Sequence, residues 1–553
     1  MKLPRFPSLA APPTYLSPGP VSNHAARSAF IRCLLAFSLL ATACIKVEIT
    51  GIIPEPDGGA GAGGSGPGTG GTGGSAGGIV PRFEGGRHPA TWRAGLPPIT
   101  QDVPRWFVPR TADRYRYPSD RSHSPIPSAI AEHLRNVALH GMGLADNVFM
   151  KVGDSISDNQ NYLGCFRGDI NNRAPAHEFN IIFGEHVDLA EAIFHFRSAT
   201  IGMTSPFNRI SASTRVGAAV TFPLEGPPPT PFEQEYGALN PQFASTMYGT
   251  NDIGAGGTPR ASLDAKLRPY QKGLVTLVDT MLARGVIPWL STIPPRIDDP
   301  AYMEIVPLFN AVIRAVAEGR QIPLVDFYRD LLPLAPGYGL SSDDGIHPTT
   351  QEYNTACHLD AASLAYGYNV RNLGALTMLD RLMRVVVDGA PSLDDSAPQL
   401  AGEGTAAAPF IIDGLPFSDM RSTSDTRGNA LQDYSGCQGS KPGAGAEYVY
   451  QLELGAPTAL RAVVLDGSID HSASDTPVDL DVYVLDASKA GPGCIASADA
   501  ILETAIGPGT FYVVVDTAGA GAEKAGEFTL TVVACEPGDP RCVRTRAGSR
   551  LER

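Results

Sequence analysis

Asn147-Val148-Phe149-Met150-Lys151-Val152-Gly153-Asp154-Ser155 is an apolar run that stops abruptly at a glycine, a carboxylate and a hydroxyl. A short run of this kind reads as a buried strand. In a parallel sheet, the carboxyl end of such a strand is where side chains meet a crevice. Gly-Asp-Ser alone caps helices and closes turns in many proteins, so its meaning rests on its partners further along the chain.

Residues 243–252, Phe-Ala-Ser-Thr-Met-Tyr-Gly-Thr-Asn-Asp, form a second strand-like run that opens into a polar turn. Residues 343–348, Asp-Asp-Gly-Ile-His-Pro, set Asp344 three residues before His347 on a loop bounded by Gly and Pro. Between Ser155 and Asn251, Thr214-Arg215-Val216-Gly217-Ala218 supplies a glycine where a backbone N–H can approach a ligand. In this order, the four blocks resemble the SGNH branch of the GDSL hydrolases. The resemblance implies a three-layer α/β/α sandwich with a parallel, flavodoxin-like sheet. It also implies a catalytic triad of Ser155, Asp344 and His347. The oxyanion hole would then comprise the N–H of Ser155, the N–H of a glycine and the amide of Asn251. Gly217 is the assigned glycine, although its block departs from the family's usual Asn-x-Gly form, and Gly202 and Gly184 are alternatives. Asp343 competes with Asp344, and the Asp-x-x-His spacing favours Asp344. Asp154 and Asp252 read as braces of their loops.

The residue types suit that chemistry. A serine hydroxyl is a weak nucleophile near pH 7 and needs a base within hydrogen-bond reach. An unperturbed imidazole is mostly neutral there yet able to hold a proton briefly. A carboxylate on the same loop can bond the second ring nitrogen, fix the tautomer and stabilise the imidazolium. A histidine before proline, or an asparagine in a polar turn, is ordinary by itself. The ordered blocks together favour catalysis. This acyl-enzyme route needs no cofactor, and without a Cys-x-x-Cys pair or a His-x-x-x-His helix no metal site is expected.

A chain of 553 residues exceeds one core, so two domains plus unstructured segments are expected. A net charge of −14 argues against a nucleic-acid partner. Arg27 and Arg32 precede an apolar stretch over residues 33–43, too short to span a bilayer and suited to an export signal. Leu40-Ala41-Thr42-Ala43-Cys44 resembles a bacterial lipoprotein box, which implies lipidation at Cys44 and no other membrane attachment. Ala41 stands where the box prefers Leu, ordinary secretion is the alternative, and the proline-rich residues 1–26 leave a later translation start open. The expected segments are a signal peptide over 1–44, a Gly-rich linker over 45–98, a hydrolase domain over 99–395, a β-sandwich domain over 396–538 and a tail over 539–553. The linker buries no apolar surface to offset its ordering entropy. Its Gly73-Gly74-Ser75-Ala76-Gly77 fits a nucleophile-elbow pattern without the flanking strand and helix that pattern needs.

Residues 99–395 alternate short apolar runs with longer amphipathic ones, as an α/β sheet requires. Helices are expected over 263–284, 303–318 and 351–366, and strands over 286–293 and 322–327. Beyond 396, Pro, Gly, Asp and Ser rise and β-rich runs recur at 447–454, 460–466, 480–485, 510–516 and 528–534. Asp479-Leu480-Asp481-Val482-Tyr483 and residues 509–516 resemble the pre-peptidase C-terminal type of β-sandwich. Asp475, Asp479, Asp481 and Asp486 lack a calcium loop's spacing and glycine and read as solvated positions. Cys165, Cys357, Cys437, Cys494, Cys535 and Cys542 suit an oxidising compartment, with the pairing of the last four left open.

The expected protein is an exported serine esterase, a cell-envelope lipoprotein or a secreted enzyme. Its substrate is a carbohydrate or lipid ester, and the export signal and sandwich tilt toward acylated polysaccharides. A non-catalytic surface-binding lipoprotein and an acyltransferase using the same triad are the alternatives. Oligomeric state is not readable from the sequence.

Overall fold

Val148 to Gly153 are buried in succession and form the inner part of β1 (Ala145–Gly153). The computed structural model describes residues 115–167, 185–199, 204–254, 263–351, 355–394, 397–425, 428–431, 445–466, 478–488, 493–517 and 525–534, with Tyr434, Gly436 and Cys437 between them. The expected signal peptide, Cys44 box, linker and tail lie outside the described residues, as do Gly184, Gly202, Asp475, Cys535 and Cys542. The described residues fall within one compact unit, Ile79–Arg553.

β1 pairs in parallel with β2 (Pro241–Met247), which pairs with β3 (Ile287–Ser291), which pairs with β4 (Leu324–Val325). On the other edge of β1, Thr214 forms a parallel bridge to Gly153: the Gly153 N–H donates to Ser213 O and the Arg215 N–H to Gly153 O, each at 3.2 Å. The chain thus passes to one side of β1 before crossing to β2 on the other. Such a reversal is the switch point of a doubly wound sheet, and its crevice opens beyond the carboxyl end of β1.

Seven helices matter here: α1 (Ser128–His140), α2 (Ser155–Asp158), α3 (Ala190–Arg197), α4 (Pro231–Leu239), α5 (Leu263–Ala283), α6 (Val306–Arg320) and α7 (Gly367–Leu382). α5 and α6 connect β2 to β3 and β3 to β4, so right-handed crossovers place both on one face of the sheet. Leu274, Leu277, Val278, Met281 and Leu282, at helical spacing on α5, are all buried. The helix expected over 303–318 is a short turn, Pro300–Met303, followed by α6. The expected helix over 351–366 is not formed. Among its described residues is only a 3-10 turn, Ser363–Ala365, and the helix begins at Gly367. Residues 355–358 instead form a turn, closed by the His358 N–H on Thr355 O at 3.0 Å and held over α7, whose Asn369 donates to the carbonyls of Thr355 and His358 at 2.7 and 2.8 Å.

The C-terminal region is all β. One sheet runs β10 (Gly493–Ala498), β9 (Leu480–Asp486), β12 (Gly509–Thr517), β7 (Glu447–Leu454) and β5 (Phe410–Ile412). The other runs β11 (Ile501–Ile506), β8 (Thr458–Asp466), β13 (Glu527–Ala534) and β6 (Phe417–Ser422). The five expected runs are β7, β8, β9, β12 and β13. Of the other four strands, β5 is only three residues long, and β6, β10 and β11 lack an unbroken apolar signature, β6 because it carries Ser418, Asp419 and Arg421. Asp481 is buried, so the solvated reading fails for it: its strand lies inside the sheet between β10 and β12. Disulfides join Cys165 to Cys357 and Cys437 to Cys494.

α6 is buried on nearly every side because it lies between the parallel sheet and the sandwich. Met420, Val463, Leu465 and Val533 from the sandwich belong to the same apolar core as the sheet. Polar groups inside this junction are paired across it. Ser418 Oγ donates to Glu318 at 2.8 Å, Arg320 donates to Glu527 at 3.0 Å, and Gln271 donates to Thr529 at 3.2 Å; on its own side Arg320 also donates to Asp279 of α5 at 2.9 Å. Close approach requires Gly319, since a Cβ there would sit 2.7 Å from the Cβ of Met420. In an exposed helix, Gly→Ala stabilises by up to about 1 kcal/mol. Here Gly319→Ala is expected to destabilise by about 1–2 kcal/mol through overpacking, as read by denaturant unfolding. A stabilised variant would show that the junction is loose.

Candidate active site

Three loops meet beyond the carboxyl ends of the strands. The first is the turn from β1 into α2. Asp154 is its N-cap and accepts the Ile156 N–H at 3.0 Å, leaving Ser155 as the first helical residue. The turn needs Gly153, where a Cβ would lie 2.3 Å from Ser157 Oγ and 2.8 Å from Met247 O.

The second is the loop that carries His347. Ser155 Oγ lies 2.8 Å from His347 Nε2, and His347 Nδ1 lies 2.6 Å from Asp344 Oδ2. The other Asp344 oxygen accepts the N–H groups of Ile346 and His347 at 2.9 and 3.0 Å. One carboxylate therefore both closes the turn and orients the ring. It favours the proton on Nδ1, which leaves the Nε2 lone pair facing the hydroxyl. Partial burial pushes the Asp344 carboxyl up, but its backbone and ring hydrogen bonds outweigh that and hold it below the usual range. Asp343 has no part in this relay, and its N–H donates to Ser341 Oγ at 3.1 Å. The His347 and Asp344 side chains are 36% and 41% exposed, so the site is open.

The third loop carries Asn251 and is fastened to the Gly217 segment. Asn251 Nδ2 donates to Ala218 O at 3.1 Å, and the Val220 N–H donates to Asp252 Oδ1, also at 3.1 Å. Gly217 has φ +75°, the left-handed region that favours glycine. The N–H groups of Ser155 and Gly217 have no hydrogen-bond partner among the described residues.

Two supports carry no motif in the sequence. Arg296, just past β3, donates to Thr250 O at 2.7 Å and to Asp298 at 2.8 Å, while the Ile297 N–H donates to Gly345 O at 3.0 Å. The Asn251 and His347 loops are thereby joined, and the only sequence signal is a position just after a strand end. Lys151 is buried in β1 and donates to the carbonyls of Tyr162 and Phe207, both at 2.7 Å. Burial, aided by Arg371, lowers its pKa to about 7. Burial also pushes Asp154 up to about 6. For Asp252, burial outweighs the Val220 N–H, and repulsion from Asp154 adds to it, giving about 6.

Residues 215–354, about a quarter of the chain, match the model of the GDSL-like Lipase/Acylhydrolase family. An acetylxylan esterase from Geobacillus stearothermophilus is similar in structure at 18% identity, over 43% of this chain and 94% of its own, with a TM-score of 0.28. A GDSL-like lipase from Bacteroides thetaiotaomicron VPI-5482 is similar at 17% identity over 46% and 98%, with a TM-score of 0.26. The pre-peptidase C-terminal domain of a collagenase from Bacillus anthracis is similar at 16% identity over 22% and 91%, with a TM-score of 0.14. No curated protein matches the sequence.

The raised Asp252 carboxyl gives a testable pH dependence. Between about pH 4 and 6, the native group keeps a proton that the unfolded chain has released, so its contribution to stability falls as pH rises through that window. Asp252→Asn retains an acceptor for Val220 and removes the titration. Relative to the wild type, the variant is expected to gain about 1–3 kcal/mol from pH 4 to pH 6.5 in denaturant unfolding. A difference that stays constant across that range refutes this.

Proposed function

We propose that this chain, whose residues 215–354 carry a GDSL-like acylhydrolase domain, is an exported serine esterase. The observation that carries the reading is the relay from Ser155 Oγ through His347 to Asp344, with contacts of 2.8 and 2.6 Å. Ser155 attacks an ester carbonyl as His347 takes its proton. The N–H groups of Ser155 and Gly217 and the Asn251 amide receive the negative oxygen. His347 then protonates the departing alcohol, and a water deprotonated by the same ring releases the acyl group. Asp344 stabilises the imidazolium without taking its proton. Each oxyanion donor contributes roughly 3–4 kcal/mol to lowering the barrier. This route draws on the chain's own residues.

The exposure of His347 and Asp344 supports a substrate whose alcohol is large, because a bulky leaving group can extend into solvent. With the export signal, it favours acylated polysaccharides over free lipid esters. Cys44 anchors the protein to the cell envelope.

Purified protein is expected to hydrolyse p-nitrophenyl acetate and to lose activity as the acyl chain lengthens. Ser155→Ala is expected to lower kcat at least 10³-fold, and Asn251→Ala about 10²–10³-fold. No Ser155-dependent turnover on a broad ester panel would favour a binding protein. Acyl transfer to an added sugar that outruns hydrolysis would favour an acyltransferase. Cys44→Ser is expected to move the protein from the membrane fraction to the soluble one, and unchanged partitioning rules out the anchor.

A further inference from the structure

One face of α7 is turned toward the loops that carry the site, and its central residue is a buried cation. Arg371 is 3% exposed, and among the described residues no carboxylate lies within ion-pair distance of it. A guanidinium so placed is costly unless its donors are satisfied. Two of them are used on the residues just after the nucleophile: Nη1 donates to Ile156 O at 2.6 Å and Nη2 to Ser157 Oγ at 2.7 Å. The guanidinium also stacks over the Tyr162 ring at 3.7 Å.

The target of those bonds is what gives them meaning. α2 has only four residues, so its carbonyls have few donors of its own, and a carbonyl at such an end is stabilised by a nearby cation. Ile156 O receives Arg371 and also the hydroxyl of Tyr368, at 3.4 Å. One turn along the same face, Asn372 accepts the Leu163 N–H at 2.9 Å and donates to Asn161 O and Ala356 O at 2.8 and 2.9 Å. The Cys165–Cys357 disulfide joins the same two loops, at ten residues beyond Ser155 (165 − 155) and ten beyond His347 (357 − 347). Ser157 is wedged against Gly153, so moving Ser157 moves the turn that aims Ser155.

We infer that Arg371 is a positioning residue for the nucleophile: its fork to Ile156 and Ser157 holds the one-turn helix in the orientation that keeps Ser155 Oγ on His347 Nε2. The inference rests on the esterase reading only for its kinetic readout. Acting through Ile156 and Ser157, it touches no substrate.

The test compares Arg371→Lys, Ser157→Ala and the double variant in the full chain. The readouts are kcat and KM on p-nitrophenyl acetate, the rate at which a p-nitrophenyl phosphonate labels Ser155, and the midpoint of thermal unfolding. Arg371→Lys is expected to lower kcat and the labelling rate about 10–100-fold with KM within about twofold, since small misplacements of a reacting group have effects of that size. Ser157→Ala removes a single atom, so folding should persist, and about 3–10-fold is expected from it. The double variant should be no slower than Arg371→Lys alone, because both changes remove one bond. Wild-type kcat and labelling in folded Ser157→Ala and Arg371→Lys would overturn the inference, as would losses that add and track the thermal midpoint. If the wild type hydrolyses no ester, the esterase reading fails, and the labelling rates still decide the role of Arg371.

Discussion

A hydroxyl and an imidazole 192 residues apart in sequence must meet within a hydrogen bond, and most of the described structure around the site serves that constraint. Neither partner is held by its own short loop alone. Ser155 sits on a turn fixed by Gly153, by the Asp154 cap and by the Arg371 fork. His347 sits on a turn closed by Asp344, the same carboxylate that orients its ring. Arg296 and the Ile297–Gly345 bond tie the Asn251 loop to the histidine loop. Such ties matter because loop backbone that is merely exposed to water opens at little cost.

The same logic operates below the site. α6 would be amphipathic in a free-standing α/β domain, with one face in water. Here it carries Arg314, Glu318 and Arg320 fully inside, each paired. Burial raises the Glu318 carboxyl, and the Arg116 guanidinium beside it opposes that rise. The sandwich is thus a covering layer of the hydrolase region: Met420, Val463, Leu465 and Val533 on one of its faces join the core of the sheet, while its own interior is a separate apolar cluster. Two compositional regions, each with its own interior, share a buried junction.

Periodicity made most of the frame legible. The apolar run before Gly153, the α5 spacing and the five long sandwich strands appear where the sequence places them, because each buries a continuous apolar face. β6 was not legible, since its Ser418 and Asp419 are satisfied by Glu318 and Tyr450 from distant segments. The absent helix over 351–366 has the same origin. Asn369 and Asn372 on α7 offer partners to the backbone of 355–358 that a local reading cannot know about.

The sequence by itself determined the class of fold and the short blocks that supply a hydroxyl, an amide, a carboxylate and an imidazole. These depend on periodicity, on turn residues and on spacing within a few positions, all of which are local. Tertiary structure alone decided that Gly217 lies in the segment fastened to Asn251 and that Cys437 pairs with Cys494, while the Asp344 that bonds the ring is the one the Asp-x-x-His spacing favours. It also decided that Arg296 and Arg371 face the loops of the site. A long cation on a helix reads as a solvated residue until the chain folds, because what satisfies its charge is backbone hundreds of residues away.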